Sequence, residues 1–205
     1  MDPKGTGVNA SAVLLAGGRS RRMGQPKALL PFAGQPLIVR VAERLLKVTN
    51  DLTVVASPDQ ELPKLRARLV HDAHEYQGPV AGLARGLAAS RGTHAFVTSC
   101  DSPFLNLDLV RWLLDEAASW DVVIPSWEGR LNPLHAVYAT SLANPYQALL
   151  DAGGRRPVDL FDKVRVRTVT EEEVRRIDPQ GRSFINMNSP AEYQAALDMA
   201  ADEPG

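Results

Sequence analysis

Cysteine is almost absent from this chain. Among its 205 residues only Cys100 carries a thiol, which excludes an intramolecular disulfide and fits a reducing compartment. Long apolar runs are missing too: none has the length needed to cross a bilayer, and the polar stretch 1–9 lacks the apolar centre of a signal peptide. A formal net charge of -1 supplies no overall basic field for nucleic acid. The expectation is a soluble cytoplasmic protein with no nucleic-acid and no membrane partner. Internal repeats and low-complexity tracts are also lacking. So are several catalytic signatures. Gln25 and Pro26 separate Gly24 from Lys27, so the P-loop spacing is not met. Gly17-Gly18 lacks the dinucleotide spacing, and there is no G-x-S-x-G elbow. His71 and His74 have no third ligand nearby for zinc. His94 and His135 are isolated and read as structural, and Cys100 has no base to activate it and reads as a buried small side chain.

What the chain does have is concentrated in residues 12–27. Residues 12–15 form an apolar run that reads as a buried first strand. After it come Gly17, Gly18, Arg19, Arg21, Arg22, Gly24 and Lys27. A strand that opens into a glycine-rich, basic loop suits a polyphosphate. Without a Cβ the backbone N–H groups can approach the anion, and guanidinium and ammonium groups neutralise its charge. A solvated surface loop is the alternative. The crowding of three glycines, three arginines and a lysine behind one strand favours the anion site.

Downstream, strands and helices alternate. Ala33-Gly34-Gln35 reads as a turn, and Pro36 opens a helix with an apolar stripe at Leu37, Val41, Leu45 and Val48. Residues 52–56 form a second buried strand, 61–68 a short helix with Leu62 and Leu65, and 69–71 a third strand ending before Asp72. Gly78-Pro79 precedes a helix marked by Val80, Leu83, Leu87 and Ala88, with Gly82 and Gly86 inside it. Interior glycines cost about 1 kcal/mol against alanine, so something approaches closely there: a ligand is favoured at Gly82, while ligand and packing stay open at Gly86. Residues 95–99 and 122–125 form the fourth and fifth strands around a helix at 110–117. This order predicts a mostly parallel sheet with helices on both faces, its ligands beyond the carboxyl ends of the strands, where Gly17, Asp72 and Asp101 line one crevice.

After Pro125 the pattern changes. Trp127-Glu128-Gly129-Arg130 reads as a hairpin turn with a returning strand at 134–139. Helices follow at 145–150 and 158–161, and a half-exposed strand at 164–169. Thr170 with Glu173, and Ser189 with Glu192, have capping-box spacing. Residues 127–188 are expected to form a smaller lobe closing over the crevice. The whole chain is expected to be one domain, about 10–125 the nucleotide-binding half and about 126–200 the acceptor-binding half.

Asp101 follows a strand and faces the basic loop, where a carboxylate is the hard oxygen ligand that magnesium takes. An N-cap or Asx turn in Asp101-Ser102-Pro103 is the alternative. Lys27 is either a point charge on a triphosphate or a solvated lysine, and Asp72 either accepts from a base or sugar or merely ends a strand. Displacement on a phosphate is the most economical chemistry, with Mg2+, Lys27 and loop amides stabilising charge on the α-phosphate and the leaving pyrophosphate. A phosphate of the second substrate is the nucleophile.

Leu15-Ala16-Gly17-Gly18, Arg22-Met23-Gly24, Lys27, Gly78-Pro79-Val80-Ala81-Gly82 and Cys100-Asp101-Ser102-Pro103 together resemble the nucleotidyltransferases of the molybdenum cofactor. Asn132-Pro133, Gly154-Arg155-Arg156 and residues 184–189 (F-I-N-M-N-S) extend the likeness, which covers about residues 13–196 and is nearest to the guanylyl branch. The resemblance implies a Rossmann-like α/β three-layer sandwich with a small C-terminal lobe. It implies a reaction in which GTP and Mo-molybdopterin give molybdopterin guanine dinucleotide and pyrophosphate. It also implies roles: Leu15, Ala16, Gly17, Gly18, Lys27, Asp72 and Asp101 at the nucleotide, Arg22, Lys27 and Asp101 in catalysis, Asp101 on Mg2+, and Gly82, Asn186 and Asn188 on the pterin side. Transient contact with cofactor-synthesis proteins and apo-molybdoenzymes goes with such a role. Leu-Ala-Gly-Gly and Asn-Met-Asn-Ser resemble the guanylyl rather than the cytidylyl form. The asparagine that relatives often carry after the second strand is missing from Val54-Val55-Ala56-Ser57-Pro58.

Overall fold

The structure is a computed structural model that describes residues 9–17, 26–72 and 78–201. Gly18, Arg19, Arg21, Arg22, Gly24 and His74 lie outside the described residues.

In chain order the elements are β1 (Ala10–Leu15), β2 (Pro31–Phe32), β3 (Gln35–Pro36), α1 (Leu37–Leu45), β4 (Leu52–Ala56), β5 (Arg68–His71), α2 (Pro79–Ala89), β6 (His94–Ser99) and α3 (Leu107–Asp115). Then come β7 (Val122–Trp127), β8 (Arg130–Leu131), β9 (His135–Ala139), α4 (Ala143–Asp151), β10 (Val166–Val169), α5 (Glu171–Arg175) and α6 (Pro190–Ala201). No helix among the described residues is long and apolar enough to cross a membrane.

The main sheet runs β10-β7-β9-β6-β1-β4-β5, with β8 paired to β7. β1 is parallel to both β4 and β6, and β5 is parallel to β4. β9 is antiparallel to β6 and to β7, while β10 runs parallel to β7. The chain leaves β1 for β4 and β5 on one side, then crosses back to β6 on the other. The β1–β6 boundary is therefore the switch point at which doubly wound sheets open a crevice.

Period-two alternation decides which side chains face which layer. Along β1, Ala12 and Leu14 join the core beneath α1, α3 and α6, whereas Val13 and Leu15 face α2 and α4. Helices thus cover both faces of the sheet, the three-layer arrangement expected. The 126–200 half does not stand apart from it: β9 and β10 are strands of the same sheet, so the division between the two halves runs through that sheet.

The helix expected at 61–68 does not form. Residues 61–65 are irregular, and Arg68 already belongs to β5. Pro63 has no amide to donate and restrains Leu62 away from helical geometry. Leu62 and Leu65 still pack against the core from this extended stretch. The Glu128-Gly129 hairpin forms as expected, with positive φ at both central residues (49° and 71°), the mark of a type I′ turn. The capping box at Thr170 and Glu173 also forms. At the start of α6, Ser189 Oγ accepts from Glu192 N (3.3 Å), while the Glu192 carboxylate receives Asn188 N (2.7 Å).

Candidate functional site

The ladder continues beyond the strand ends on the carboxyl edge. Ala16 N donates to Val55 O (2.8 Å), Asp72 N to Ala56 O (2.9 Å) and Cys100 N to Leu15 O (3.0 Å). Each of these bonds carries the chain off the sheet at the same rim, so Gly17, Asp72 and Asp101 emerge together.

Asp101 is the centre of the polar cluster. Its Oδ2 receives Lys27 Nζ at 2.9 Å, and its Oδ1 receives the Ser99 hydroxyl. Both partner side chains are about 17% exposed, enough for a ligand to reach and little enough to strengthen the attraction. Lys27 opens a single 3-10 turn anchored by buried Ala28, which aims its ammonium at the β6 corner. The alternative of Asp101 as a helix cap fails. α3 begins at Leu107, and its cap is Asn106, whose side chain accepts from Asp108 N and Leu109 N.

The C-terminal segment closes on this corner. Lys27 Nζ also donates to Asn188 Oδ1 at 2.7 Å. Ser102 Oγ donates to Asn186 Oδ1 at 2.9 Å, and Met187 N to Asp101 O at 3.3 Å. Met187 is fully buried and pins the strand-like segment between the two asparagines. Asp101 and Asn188, the latter 161 positions from Lys27, thus meet at one ammonium group.

Asp72 sits half-buried at the end of β5. Its Oδ1 finds no hydrogen-bond partner among the described residues. Burial raises its pKa, opposed by the nearby charges of Arg85 and His71. An unpaired buried acceptor at a crevice rim is costly unless a ligand donates to it. Cys100 is buried, and burial with the Asp101 charge pushes its thiol up to about 12, so it stays protonated and unreactive.

Gly82 and Gly86 both have a packing reason to lack a side chain. A Cβ on Gly82 would lie 2.9 Å from Leu15 Cδ2, and one on Gly86 would lie 2.3 Å from Val13 Cγ1. Both glycines let α2 press onto β1, so close packing of helix on strand is reason enough for the absence of a side chain at each.

Gln60 was not singled out by sequence reasoning. Its carboxamide bridges Ser57 N and Ala16 O, both at 3.1 Å. The loop position after β4 gave no composition signal for it.

Asp101 offers one hard oxygen ligand with the Lys27 ammonium beside it. That donor set fits magnesium, which takes one or two carboxylates and completes its shell with phosphate and water. No three His, Cys, Asp or Glu side chains gather elsewhere among the described residues into a closed metal cage.

Comparison with known proteins agrees with this geometry. Residues 12–169 match the MobA-like NTP transferase domain. A protein of Pelotomaculum thermopropionicum named "Probable molybdenum cofactor guanylyltransferase" is 33% identical, over 94% of this chain and 94% of its own. One of the same name from Methanosarcina mazei is 32% identical, over 95% and 93%. The crystal structure of molybdopterin-guanine dinucleotide biosynthesis protein A from Archaeoglobus fulgidus superposes with a TM-score of 0.82 at 26% identity, covering 94% of this chain and all of that one. From strand order, crevice and sequence together, the chain belongs to the MobA-like NTP transferase family.

Proposed function

We propose that the chain transfers the guanylyl group of GTP to Mo-molybdopterin in the presence of Mg2+, in the cytoplasm, releasing pyrophosphate. The observation that carries this reading is the convergence of Lys27 and Asp101, 2.9 Å apart at the switch point of the sheet. A phosphate oxygen of the pterin substrate attacks the α-phosphorus, and the bond to the bridging oxygen breaks as pyrophosphate leaves. No side chain of this protein has to become a nucleophile. Lys27 exchanges its carboxylate partner for phosphate oxygens and holds the charge that builds there. Asp101 would hold the metal, whose contribution is to neutralise phosphate charge. Asn186 and Asn188 border the side from which the acceptor enters. The nucleotide loop, with Arg22, supplies amides and a guanidinium to the phosphates.

Guanine is favoured by the names of the relatives and by Asp72. Its unpaired acceptor suits a base edge with adjacent N–H donors, which guanine has and cytosine lacks. Delivery to apo-molybdoenzymes through transient contacts belongs to the same reading.

The experiment is pyrophosphate release with Mo-molybdopterin and each nucleoside triphosphate in turn. GTP should give the highest kcat/KM, and Asp101→Asn and Lys27→Ala should each lower kcat by about 100-fold or more with the fold unchanged by circular dichroism. Faster turnover with CTP would overturn the guanylyl assignment. Undiminished transfer by Asp101→Asn would overturn the metal-binding role.

A further inference from the structure

Gln60 lies in the turn that leaves β4, facing the loop that leaves β1. Three hydrogen bonds tie it in place. Its Oε1 accepts from Ser57 N, its Nε2 donates to Ala16 O, and its own backbone N donates to Ser57 O, each at 3.1 Å. His71, at the end of β5, meets the same Ser57 carbonyl through Nδ1 at 2.9 Å. The exits of three neighbouring parallel strands are thereby laced together by one carboxamide and one carbonyl. The fit is close: a Cβ added at Gly17 would stand 3.1 Å from Ser57 Oγ.

The consequence falls on the Ala16–Gly17 peptide. Ala16 N is held by Val55 O and Ala16 O by Gln60, so the residue is gripped from both sides. Gly17 is exposed and has no side chain to restrain it. Without the Gln60 bond, the peptide entering the glycine-rich loop would turn among several orientations, and a ligand would bear the cost of fixing it. A carboxamide can accept from Ser57 N and donate to Ala16 O at once, which neither a carboxylate nor a thioether can do.

We propose that Gln60 is a positioning residue for the nucleotide, which orients the Ala16 carbonyl and Gly17 amide and so governs how tightly the nucleobase is held and discriminated. This rests on the reading of the crevice as a nucleotide site. Its effect falls on the base end, because the exits of β1, β4 and β5 that it laces together include the one that carries Asp72, the group assigned to the base edge, while its hydrogen bonds go to Ser57 and Ala16 rather than to Lys27 or Asp101.

The test compares the full-length protein with Gln60→Glu, which still accepts from Ser57 N but cannot donate to Ala16 O, and Gln60→Met, which does neither. GTP affinity is measured by calorimetry, together with competition by inorganic tripolyphosphate, which engages only the phosphate end. Steady-state turnover is measured with GTP and CTP. Both variants should bind GTP about tenfold more weakly, the scale of one lost hydrogen bond, and the GTP-over-CTP ratio of kcat/KM should shrink. Tripolyphosphate competition, kcat and the melting temperature should move little. Equal weakening of GTP and tripolyphosphate, or unchanged GTP binding in both variants, would overturn the proposal. If the unaltered protein binds tripolyphosphate but no nucleoside triphosphate more tightly, the nucleotide reading fails and this one with it.

Discussion

Mild acid should loosen this protein through His135. The imidazole is 3% exposed at the start of β9. It stands edge-on to Phe96 at 4.9 Å and tilted against Phe184 at 4.9 Å. Neither ring nitrogen has a hydrogen-bond partner among the described residues. Burial drives its pKa down to about 4 from 6.5, with the charge of Asp178 pulling the other way. The folded state therefore prefers the neutral ring, while the unfolded chain takes up a proton as pH falls below 6.5. Stability from this group is complete above 6.5 and drains away as pH descends to about 4. The size of the loss is about 3 kcal/mol, a large share of a domain's typical margin of about 5–15 kcal/mol. Urea denaturation across that range, for the protein and for His135→Leu, isolates the effect as the difference between two curves. The difference should grow in favour of the leucine variant as pH drops, with Phe184 fluorescence surroundings reported by its stacked neighbour Trp127. Two curves that stay parallel would show that His135 is hydrated or paired in solution and refute the reasoning.

Gly86→Ala should destabilise even though alanine is the better helix former by about 1 kcal/mol. The new methyl would meet Val13 Cγ1 at 2.3 Å, and overpacking of this kind costs about 1–3 kcal/mol. Adding Val13→Ala should recover part of the loss in denaturant melts, and an equal cost in both backgrounds would exclude the contact. At the other end of the sheet, Thr170→Ala should remove about 1 kcal/mol, since Thr170 caps α5. The Arg167 guanidinium, 2.8 Å away, holds Glu173 down at about 2. Stability from Glu173 is thus present above 4.5 and lost as pH falls towards about 2, so Glu173→Gln should matter at neutral pH and cease to matter in strong acid. Thermal melts at the two extremes decide it.

Much of this architecture could be read from the chain because its central strands are largely apolar. Leu52–Ala56 is buried at every position and stands out as a run. Asp101 draws notice in the sequence because it lies two residues past the end of β6. The stretch around Leu62 and Leu65 misled because leucines three apart satisfy a helical period whether or not the backbone is helical, and Pro63 decided the matter. Gly82 is ambiguous for a related reason. A glycine inside a helix announces close approach but not the identity of what approaches, and only the register of α2 on β1 names Leu15. Gln60 was beyond reach of sequence reasoning. Its contact spans 44 positions and ends on a backbone carbonyl, which leaves no trace in residue type.

β7 has no bond to β6. It reaches the rest of the sheet through β9, the reversed strand wedged between them. During synthesis β7 leaves the ribosome before the piece that seats it. Until Ala139 has been made, β6 carries a bare row of backbone donors and acceptors, and β7 is an apolar strand with nowhere to dock. A fragment ending near residue 125 would keep that exposed seam permanently, so it should not survive expression alone. Any attempt to dissect the two halves by truncation has to carry the chain at least through β9.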